Sequence, residues 1–258
     1  MEILGLTFDF SKTFKKERLV DITTAKYRKT KHGYLKIFEH FYHVSGNKNL
    51  VNALKDDFVS GIFMWSGSGL LGSIARGIYF GLFINYKVPA VIGKSFKIVN
   101  YSKIKIGRFF WAKDNVTLFS GGILNIGDSV VLAERSTIWS GESGVYIGND
   151  FFLGIGSYIS AIGGVVKIGN DVMIADHVSL YTWNHRYLMK NITFSKMGGT
   201  IEEIVIGNNC WIGTGCKILA GTKLGDNCVV AAGSVLTKKY PNNSVIAGIP
   251  AKVIKKIQ

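Results

Sequence analysis

The chain has 258 residues, 47% of them hydrophobic and 19% charged, and a formal net charge of +14. These values exclude a disordered chain and are typical of a folded protein with one or two domains. The basic balance suits phosphate-bearing ligands, nucleic acid, an acidic polymer or an anionic membrane, without choosing among them. Residues 1–10 contain Glu2 and Asp9 and no basic run, which is not the pattern of a secretory signal, so we expect a cytoplasmic location.

Residues 1–90 contain no internal repeat, and we interpret them as an amino-terminal extension that is partly helical. Apolar residues with helical spacing occur at 50–58, and residues 12–36 contain nine Lys or Arg against two acidic residues. Residues 58–86 have Arg76 as their only charged residue. This stretch is interpreted as helix and turn that pack on the end of the next domain. The alternatives are a helix in the membrane interface, acting with the basic run, and a membrane span.

A six-residue repeat begins near Ile92 and ends near Ile249. An aliphatic residue returns at every sixth position, and the pattern is clearest over residues 206–229. The fixed period predicts a mainly β domain, a left-handed parallel β-helix over residues 91–250, in which six residues form one face and one corner of a triangular prism. The aliphatic residues point inward, and the Gly, Asn and Asp after them are assigned to tight bends at the corners. Residues 251–258 are predicted to form a carboxy-terminal cap.

The spacing between equivalent residues agrees with stacked coils of this kind. An aliphatic-Gly pair followed by Asn or Asp begins at Ile126, Ile147, Ile168, Ile206 and Leu224. The intervals are therefore 21, 21, 38 and 18 residues. We interpret 18 as one coil, 21 as a coil with three additional residues near the glycines at 141–144 and 163–164, and 38 as a coil with an insertion of about 20.

The insertion interrupts the repeat after residues 180–187, and the chain rejoins it at residues 203–206, so we predict a loop over residues 185–203. His185 stands where the coil turns into the loop and is not at an inward aliphatic position. Because a histidine accepts a proton near neutral pH, His185 is a candidate general base that activates a hydroxyl group. A surface or capping role is the alternative. His177, inside a coil, is interpreted as structural.

The three cysteines, Cys210, Cys216 and Cys228, occupy one phase of the repeat, the small inward position. Residues six apart lie on different faces of the prism, and no CxxC pair or neighbouring histidine supports a metal cluster or a disulfide. We therefore predict that the cysteines are core residues.

Aromatic residues are frequent in the first coils, and some of them must point outward. They are Phe109, Phe110, Trp111, Phe119, Trp139, Tyr146, Phe151, Phe152 and Tyr158. The outward rings either pack against the extension or a neighbouring subunit, or form a platform for sugar rings. The sequence leaves both interpretations open.

Four segments of the repeat domain carry a resemblance to a known family. They are Asn184–Tyr187, Ile206–Gly213, Gly225–Val235 and Ala247–Ile254. Together they resemble the hexapeptide-repeat acyltransferase superfamily over about residues 92–255. Over residues 168–255 the chain is similar to the sugar and polysaccharide O-acetyltransferase branch of that superfamily.

The resemblance implies a homotrimer of β-helices that binds acetyl-CoA, as a co-substrate, in the groove between neighbouring prisms, with no metal. His185 matches the family's catalytic histidine. Trp211 matches a tryptophan beside the acetyl group, with a subunit contact as the alternative. The remaining matched positions are assigned to the cofactor groove. They are Thr214 and Ala232 at the pantetheine arm, Lys238, Lys252 and Lys255 near the phosphates, and Gly213 and Ala231 within the same groove.

The implied function is transfer of acetyl from acetyl-CoA to a hydroxyl group of a cell-surface glycan of the capsular, lipopolysaccharide or sialic-acid type. Galactoside and maltose acetyltransferases carry a sugar-facing Asn in an earlier coil, and none stands around residues 154–156. This departs from a monosaccharide acceptor site. An N-acetyltransferase for an amino nucleotide-sugar and a non-catalytic β-helix assembly protein are the alternatives. No nucleic-acid recognition motif is present, and the basic extension suits contact with the inner face of the membrane.

Overall fold

A computed structural model of the protein describes residues 70–82, 84–86, 90–187 and 193–258, together with the backbone of four short strands nearer the amino terminus. These strands are β1 (Glu2–Ile3), β2 (Leu6–Thr7), β3 (Leu19–Val20) and β4 (Lys26–Tyr27). β1, β2 and β4 form a small antiparallel sheet. The predicted helical pattern at residues 50–58 and most of the basic run at 12–36 lie outside the described residues.

Within the described residues, the repeat domain is a parallel β-helix with three sheets as its faces, named here for their outward side chains. The basic face has eight strands: β5 (Asn85–Tyr86), β8 (Ile104–Ile106), β11 (Leu124–Ile126), β14 (Val145–Ile147), β17 (Val166–Ile168), β22 (Ile204–Ile206), β25 (Lys223–Leu224) and β28 (Lys239–Tyr240). The apolar face has nine: β6 (Ala90–Ile92), β9 (Phe110–Ala112), β12 (Val130–Leu132), β15 (Phe151–Leu153), β18 (Val172–Ile174), β23 (Cys210–Ile212), β26 (Cys228–Val230), β29 (Ser244–Gly248) and β30 (Ala251–Lys256). The aromatic face has seven: β7 (Lys97–Val99), β10 (Thr117–Phe119), β13 (Thr137–Trp139), β16 (Tyr158–Ser160), β19 (Ser179–Tyr181), β24 (Lys217–Ile218) and β27 (Val235–Leu236).

Strand registers confirm the predicted coil lengths. One continuous inward column of the basic face contains Ile126, Ile147, Ile168, Ile206 and Leu224, and all five are buried. Ile168 pairs directly with Ile206, so the 38-residue interval is one coil plus an insertion, as predicted. The 21-residue coils are longer at residues 140–144 and 161–165, between the aromatic and basic faces. Stacking of these columns gives the domain one continuous apolar core.

Asparagine and aspartate side chains link successive coils at the corner between the basic and apolar faces. The ladder consists of Asp128, Asn149, Asn170, Asn208, Asp226 and Asn242. At one step the Asn149 backbone N–H donates a 2.8 Å hydrogen bond to Oδ1 of Asn170. The left-handed bend itself falls one residue later, at Asp150.

A glycine precedes five of the six ladder residues, and its cause differs from the predicted one. A Cβ atom on Gly148 would lie 2.6 Å from the carbonyl oxygen of Gly169 in the next coil. The close approach of the two coils, and not the bend, therefore requires glycine here. Assigning these glycines to the bend was wrong, whereas assigning Asn and Asp to the corner was right.

The three cysteines are buried and unpaired, as predicted. The Cys210 Sγ lies 3.2 Å from the carbonyl oxygen of Gly225 in the next coil. Burial raises the pKa of the Cys210 thiol to about 12, and it raises the pKa values of Cys216 and Cys228 as well.

Helix α1 (Leu70–Gly81) lies against β6 at the amino-terminal end of the prism. The two elements approach so closely that a Cβ atom on Gly77 would collide with the carbonyl oxygen of Ala90. Phe80 packs edge-to-face on Phe96, with ring centroids 5.1 Å apart. This part of residues 58–86 is therefore helix packed on the end of the β-helix.

Arg76 joins the helix to the first coil although it is buried. Its Nε donates a 2.8 Å hydrogen bond to the carbonyl oxygen of Ile92, and its Nη2 donates one of 2.9 Å to Ser73 Oγ. Burial lowers the pKa of Arg76, and the charge of Asp114 acts in the opposite direction. No helix in the described ranges is long and apolar enough to cross a membrane.

Candidate active site

The insertion forms a short arm that projects from the corner between the aromatic and basic faces. β20 (Trp183–His185) leaves the coil, and β21 (Gly199–Ile201) returns antiparallel to it, with His185 opposite Gly199. β21 also pairs with β3 (Leu19–Val20), so the amino-terminal extension supplies a third strand to the arm. Residues 188–192 of the predicted loop lie outside the described residues. The His185 side chain is exposed.

The imidazole of His185 rests against Trp183. The two side chains are two residues apart in one strand and therefore point to the same side. Their ring centroids are 3.9 Å apart, and the rings are inclined by 71°. A neighbouring aromatic ring restricts the rotation of the imidazole, so Trp183 orients the candidate base.

Trp183 is itself fixed by the returning strand of the arm. A Cβ atom on Gly199 would collide with the Trp183 indole, so a residue without a side chain is required there. The indole Nε1 is buried and has no hydrogen-bond partner among the described residues. Van der Waals packing thus holds the ring in place.

The second group of predicted residues lies on the apolar face. Trp211 points outward from β23 and is 52% exposed. One column of paired residues runs from Trp211 through Val229 and Val245 to Lys255. With strands about 4.8 Å apart, Lys255 lies about 14 Å along the face from Trp211. An aromatic ring and a cation are therefore aligned on one strip of surface.

Small residues line the corner between the apolar and aromatic faces, next to this strip. Gly213 and Thr214 lie in one coil, and Ala231 and Ala232 lie in the next. The adjacent Gly215 and Gly233 have φ of +75° and +72°, and a Cβ atom on either would meet no atom within 4 Å. Lys252 on β30 pairs with Ala247 on β29, which is the neighbour of β26 on the apolar face. The backbone is open here, as an extended ligand running along the corner requires.

The fold separates the predicted residues into two groups. His185 and Lys238 lie at the corner between the aromatic and basic faces, because both follow strands of the aromatic face and precede strands of the basic face. Trp211, Thr214, Ala232, Lys252 and Lys255, with Gly213 and Ala231, lie on the apolar face and its adjoining corner. A single prism therefore places the candidate base and the candidate cofactor strip on opposite sides.

His177 lies away from the arm. It is at the corner between the apolar and aromatic faces, with φ of +57°. A Cβ atom on Gly156 of the preceding coil would lie 2.9 Å from its Nδ1, so the imidazole packs over that glycine. In the described residues, no group of three or more His, Cys, Asp or Glu is arranged to hold a metal ion.

Trp183 and Gly199 of the arm were not among the residues predicted from the sequence. The available signal was a tryptophan two positions before the histidine, which shares its side of a strand. The outward aromatic residues are now placed as well. Trp111 and Phe152 point outward on the apolar face, Tyr146 on the basic face, and Phe119, Trp139 and Tyr158 on the aromatic face, whereas Phe110 and Phe151 are buried and Phe109 is exposed at a corner.

Comparison with known proteins decides the family. A family model described as bacterial transferase hexapeptide (six repeats) matches residues 203–238. The chain is 32% identical over 163 residues to the putative lipopolysaccharide biosynthesis O-acetyl transferase WbbJ of Escherichia coli (strain K12), covering 62% of this chain and 74% of that protein. The chain belongs to the bacterial hexapeptide-repeat transferases. The predicted family resemblance is thereby confirmed.

Two further relatives of this hexapeptide-repeat transferase are informative. Galactoside O-acetyltransferase of Escherichia coli (strain K12) is 37% identical over 156 residues, which cover 60% of this chain and 55% of that protein. The chain thus spans little more than half of that relative's length. The crystal structure of the polySia specific acetyltransferase NeuO is similar with a TM-score of 0.50 and 25% identity, over 67% of this chain and 81% of that chain.

Proposed function

We propose that this hexapeptide-repeat transferase moves an acetyl group from acetyl-CoA to a hydroxyl group of a cell-surface glycan. The relatives support the reaction class, since they are named as O-acetyltransferases of a galactoside and, putatively, of lipopolysaccharide. The observation that carries the proposal is the exposed imidazole of His185, presented on an arm and oriented by Trp183 at 3.9 Å. An exposed, oriented base is what the deprotonation of an incoming hydroxyl group requires.

The proposed mechanism is direct transfer. His185 takes the proton of the acceptor hydroxyl as its oxygen attacks the thioester carbonyl carbon. The tetrahedral intermediate collapses, the C–S bond breaks, and the leaving CoA thiolate is protonated by the imidazolium, which restores the neutral imidazole. Trp211 positions the acetyl end of the thioester. The open corner at Gly215 and Gly233 supports this arrangement, because a Cβ atom on either glycine would meet no atom within 4 Å and an extended pantetheine arm would have room against the backbone.

The separation of His185 from Trp211 supports a site shared between copies of the chain, and we include a homotrimer in the proposal. The apolar face exposes a column of large side chains whose outward members include Trp111, Phe152 and Met173. Such a column is a candidate subunit contact. Three prisms packed side by side in a closed ring, with a different face of each copy at each contact, would bring the arm of one copy to the apolar face of the next.

The aromatic face supports an extended glycan as the acceptor. Ring pairs Phe119–Trp139 and Tyr158–Tyr181 have centroids 5.9 Å and 5.8 Å apart. The four rings lie in four successive coils. The last ring, Tyr181, is followed directly by the arm that carries His185. Sugar rings stack on aromatic faces. A chain of sugars lying along these rings would therefore lead to the proposed base.

The decisive experiment measures acetyl-CoA turnover with a panel of acceptors. The panel contains polysialic acid, lipid-linked oligosaccharides and amino sugars, and mild base distinguishes labile esters from stable amides in the products.

We expect His185→Ala to lower turnover by about 10²–10⁴-fold while CoA binding measured by calorimetry is retained. Phe194→Ala, which removes an exposed side chain from the same arm, is the control and should retain turnover. Near-normal turnover of His185→Ala would remove the assignment of the base, and amide products would favour the N-acetyltransferase alternative.

A further inference from the structure

Helix α1 has a second apolar side that the prism does not cover. With 3.6 residues per turn, Leu71, Ala75, Ile78 and Leu82 fall within a narrow arc that is opposite to the buried Phe80. Leu71, Ile78 and Leu82 are 84%, 63% and 76% exposed. A helix on the surface of a globular protein normally carries polar side chains on this side. The outward side of α1 therefore fits an apolar partner rather than water.

The charged residues from position 58 to position 113 are all basic. Of these, Arg76 is buried, while Arg108 and Lys113 form ion pairs with Asp128 and Glu134 of the next coil. Residues 58–113 contain eight Lys or Arg and no Asp or Glu, whereas residues 114–258 contain twelve Lys or Arg and ten Asp or Glu. In the first coil, on which α1 packs, Lys97, Lys103 and Lys105 are exposed. Positive charge is thus concentrated at the same end of the prism as the exposed leucine and isoleucine side chains.

We propose that the outward side of α1 and the lysines of the first coil form a membrane-docking surface that binds an anionic lipid bilayer. The helix lies in the plane of the interface, with Leu71, Ile78 and Leu82 inserted at the boundary between headgroups and acyl chains. The ammonium groups face the lipid phosphates and carboxylates. The basic amino-terminal end of the chain is complementary in charge to such a surface.

A second copy of the chain fits this surface less well. A two-fold contact through α1 places the same patch of each copy opposite itself. The two basic first coils would then face each other, and like charges in an interface are unfavourable. An anionic bilayer satisfies both the apolar and the basic parts of the surface.

The first test measures co-sedimentation of the 258-residue chain with vesicles of phosphatidylcholine that contain phosphatidylserine. We expect binding to these vesicles and much weaker binding to pure phosphatidylcholine. Leu71→Gln/Ile78→Gln/Leu82→Gln should lower partitioning by about tenfold or more, because three exposed apolar side chains are lost. Ile249→Gln/Ile254→Gln is the matched control: these side chains are 76% and 63% exposed at the other end of the chain. It should bind as the unmodified protein does.

The second test measures the electrostatic part. Lys97→Gln, Lys103→Gln and Lys105→Gln should each weaken partitioning by about fivefold at low ionic strength. Lys239→Gln is the control, since Lys239 is an exposed lysine of the basic face in the last coils. Raising the salt concentration should reduce the difference between the lysine variants and the unmodified protein.

Three results would overturn the proposal. The first is failure of the unmodified protein to bind the anionic vesicles. The second is undiminished binding of the triple glutamine variant. The third is a change in the oligomeric mass of the triple glutamine variant, measured by light scattering, when the protein shows no vesicle binding. The last result would assign the surface to a contact between copies. Circular dichroism and thermal unfolding verify that each variant is folded. Because the readout is binding without acetyl transfer, the docking surface and the proposed activity stand or fall separately.

Discussion

Replacing Trp183 by alanine tests whether the arm controls the proposed base. The indole and the His185 imidazole form an edge-to-face pair with centroids 3.9 Å apart. Such pairs contribute about 0.5–1.5 kcal/mol beyond the area that they bury. If this energy holds the imidazole in its reactive orientation, its loss lowers the oriented population by about 2–12-fold, since 1.36 kcal/mol corresponds to a factor of ten. We therefore expect Trp183→Ala to reduce kcat by that factor, far less than His185→Ala.

The assay is steady-state acetyl transfer with kcat and the KM for acetyl-CoA measured separately. Trp183→Ala should change kcat and leave this KM close to its original value, because Trp183 packs against His185 and Gly199 and is not one of the residues assigned to the cofactor strip. Trp183→Phe keeps a ring against His185 and should recover most of the rate. Phe194→Ala removes an exposed aromatic side chain from the same arm, and as the control it should have little effect.

A double variant decides whether Trp183 acts through His185. In a His185→Ala background, Trp183→Ala should cause no additional loss, because there is no imidazole left to orient. An equal loss in both backgrounds would refute this reasoning and assign Trp183 a separate role. The same conclusion would follow if Trp183→Phe were as slow as Trp183→Ala.

Two further predictions concern the core. Gly148→Ala should destabilise the fold by about 2–4 kcal/mol, measured by thermal or denaturant unfolding, because the added methyl group separates two coils; Gly215→Ala, where the space is open, should cost about 1 kcal/mol. Cys210 should give a stability loss at high pH. Above its ordinary value of 9.0 the unfolded chain releases the thiol proton while the folded chain keeps it up to about pH 12, so the unfolding free energy should fall by about 1.4 kcal/mol per pH unit in this window. Cys210→Ala should lack this contribution, and equal slopes would contradict it.

Most of the fold could be predicted from the repeat, because the stacking of coils requires both the six-residue period and the parallel β-helix. An inward aliphatic residue every six positions is required by stacked coils, so the phase of Ile206 or Leu224 already indicates which side chains are buried. Corner chemistry was harder to assign. The glycine at position 148 and the aspartate at position 150 look alike as turn residues in a sequence, yet only the aspartate has the left-handed φ. The glycine responds to a neighbour that is one coil distant in space, which local sequence does not reveal.

The sequence was sufficient to propose residues for the candidate site, but it did not give their arrangement in space. The interruption of the repeat pointed to His185, and the family resemblance assigned Trp211 to the cofactor groove. Neither signal gives the relative direction of the two side chains, since that depends on counting faces around the prism across an insertion. Trp183 was overlooked because its role comes from packing against Gly199, on a strand that pairs only after the arm folds back.

The amino-terminal extension supports the arm that carries His185. β20 and β21 are three residues each, and an isolated pair of short strands is marginal in water. β3 adds a third strand on the free edge of β21, opposite Gly199 and Thr200. The residue that confines the Trp183 indole is thus held from both sides, by the arm and by the extension. The amino-terminal extension, whose role was left open in the sequence, therefore supports the proposed base through β3.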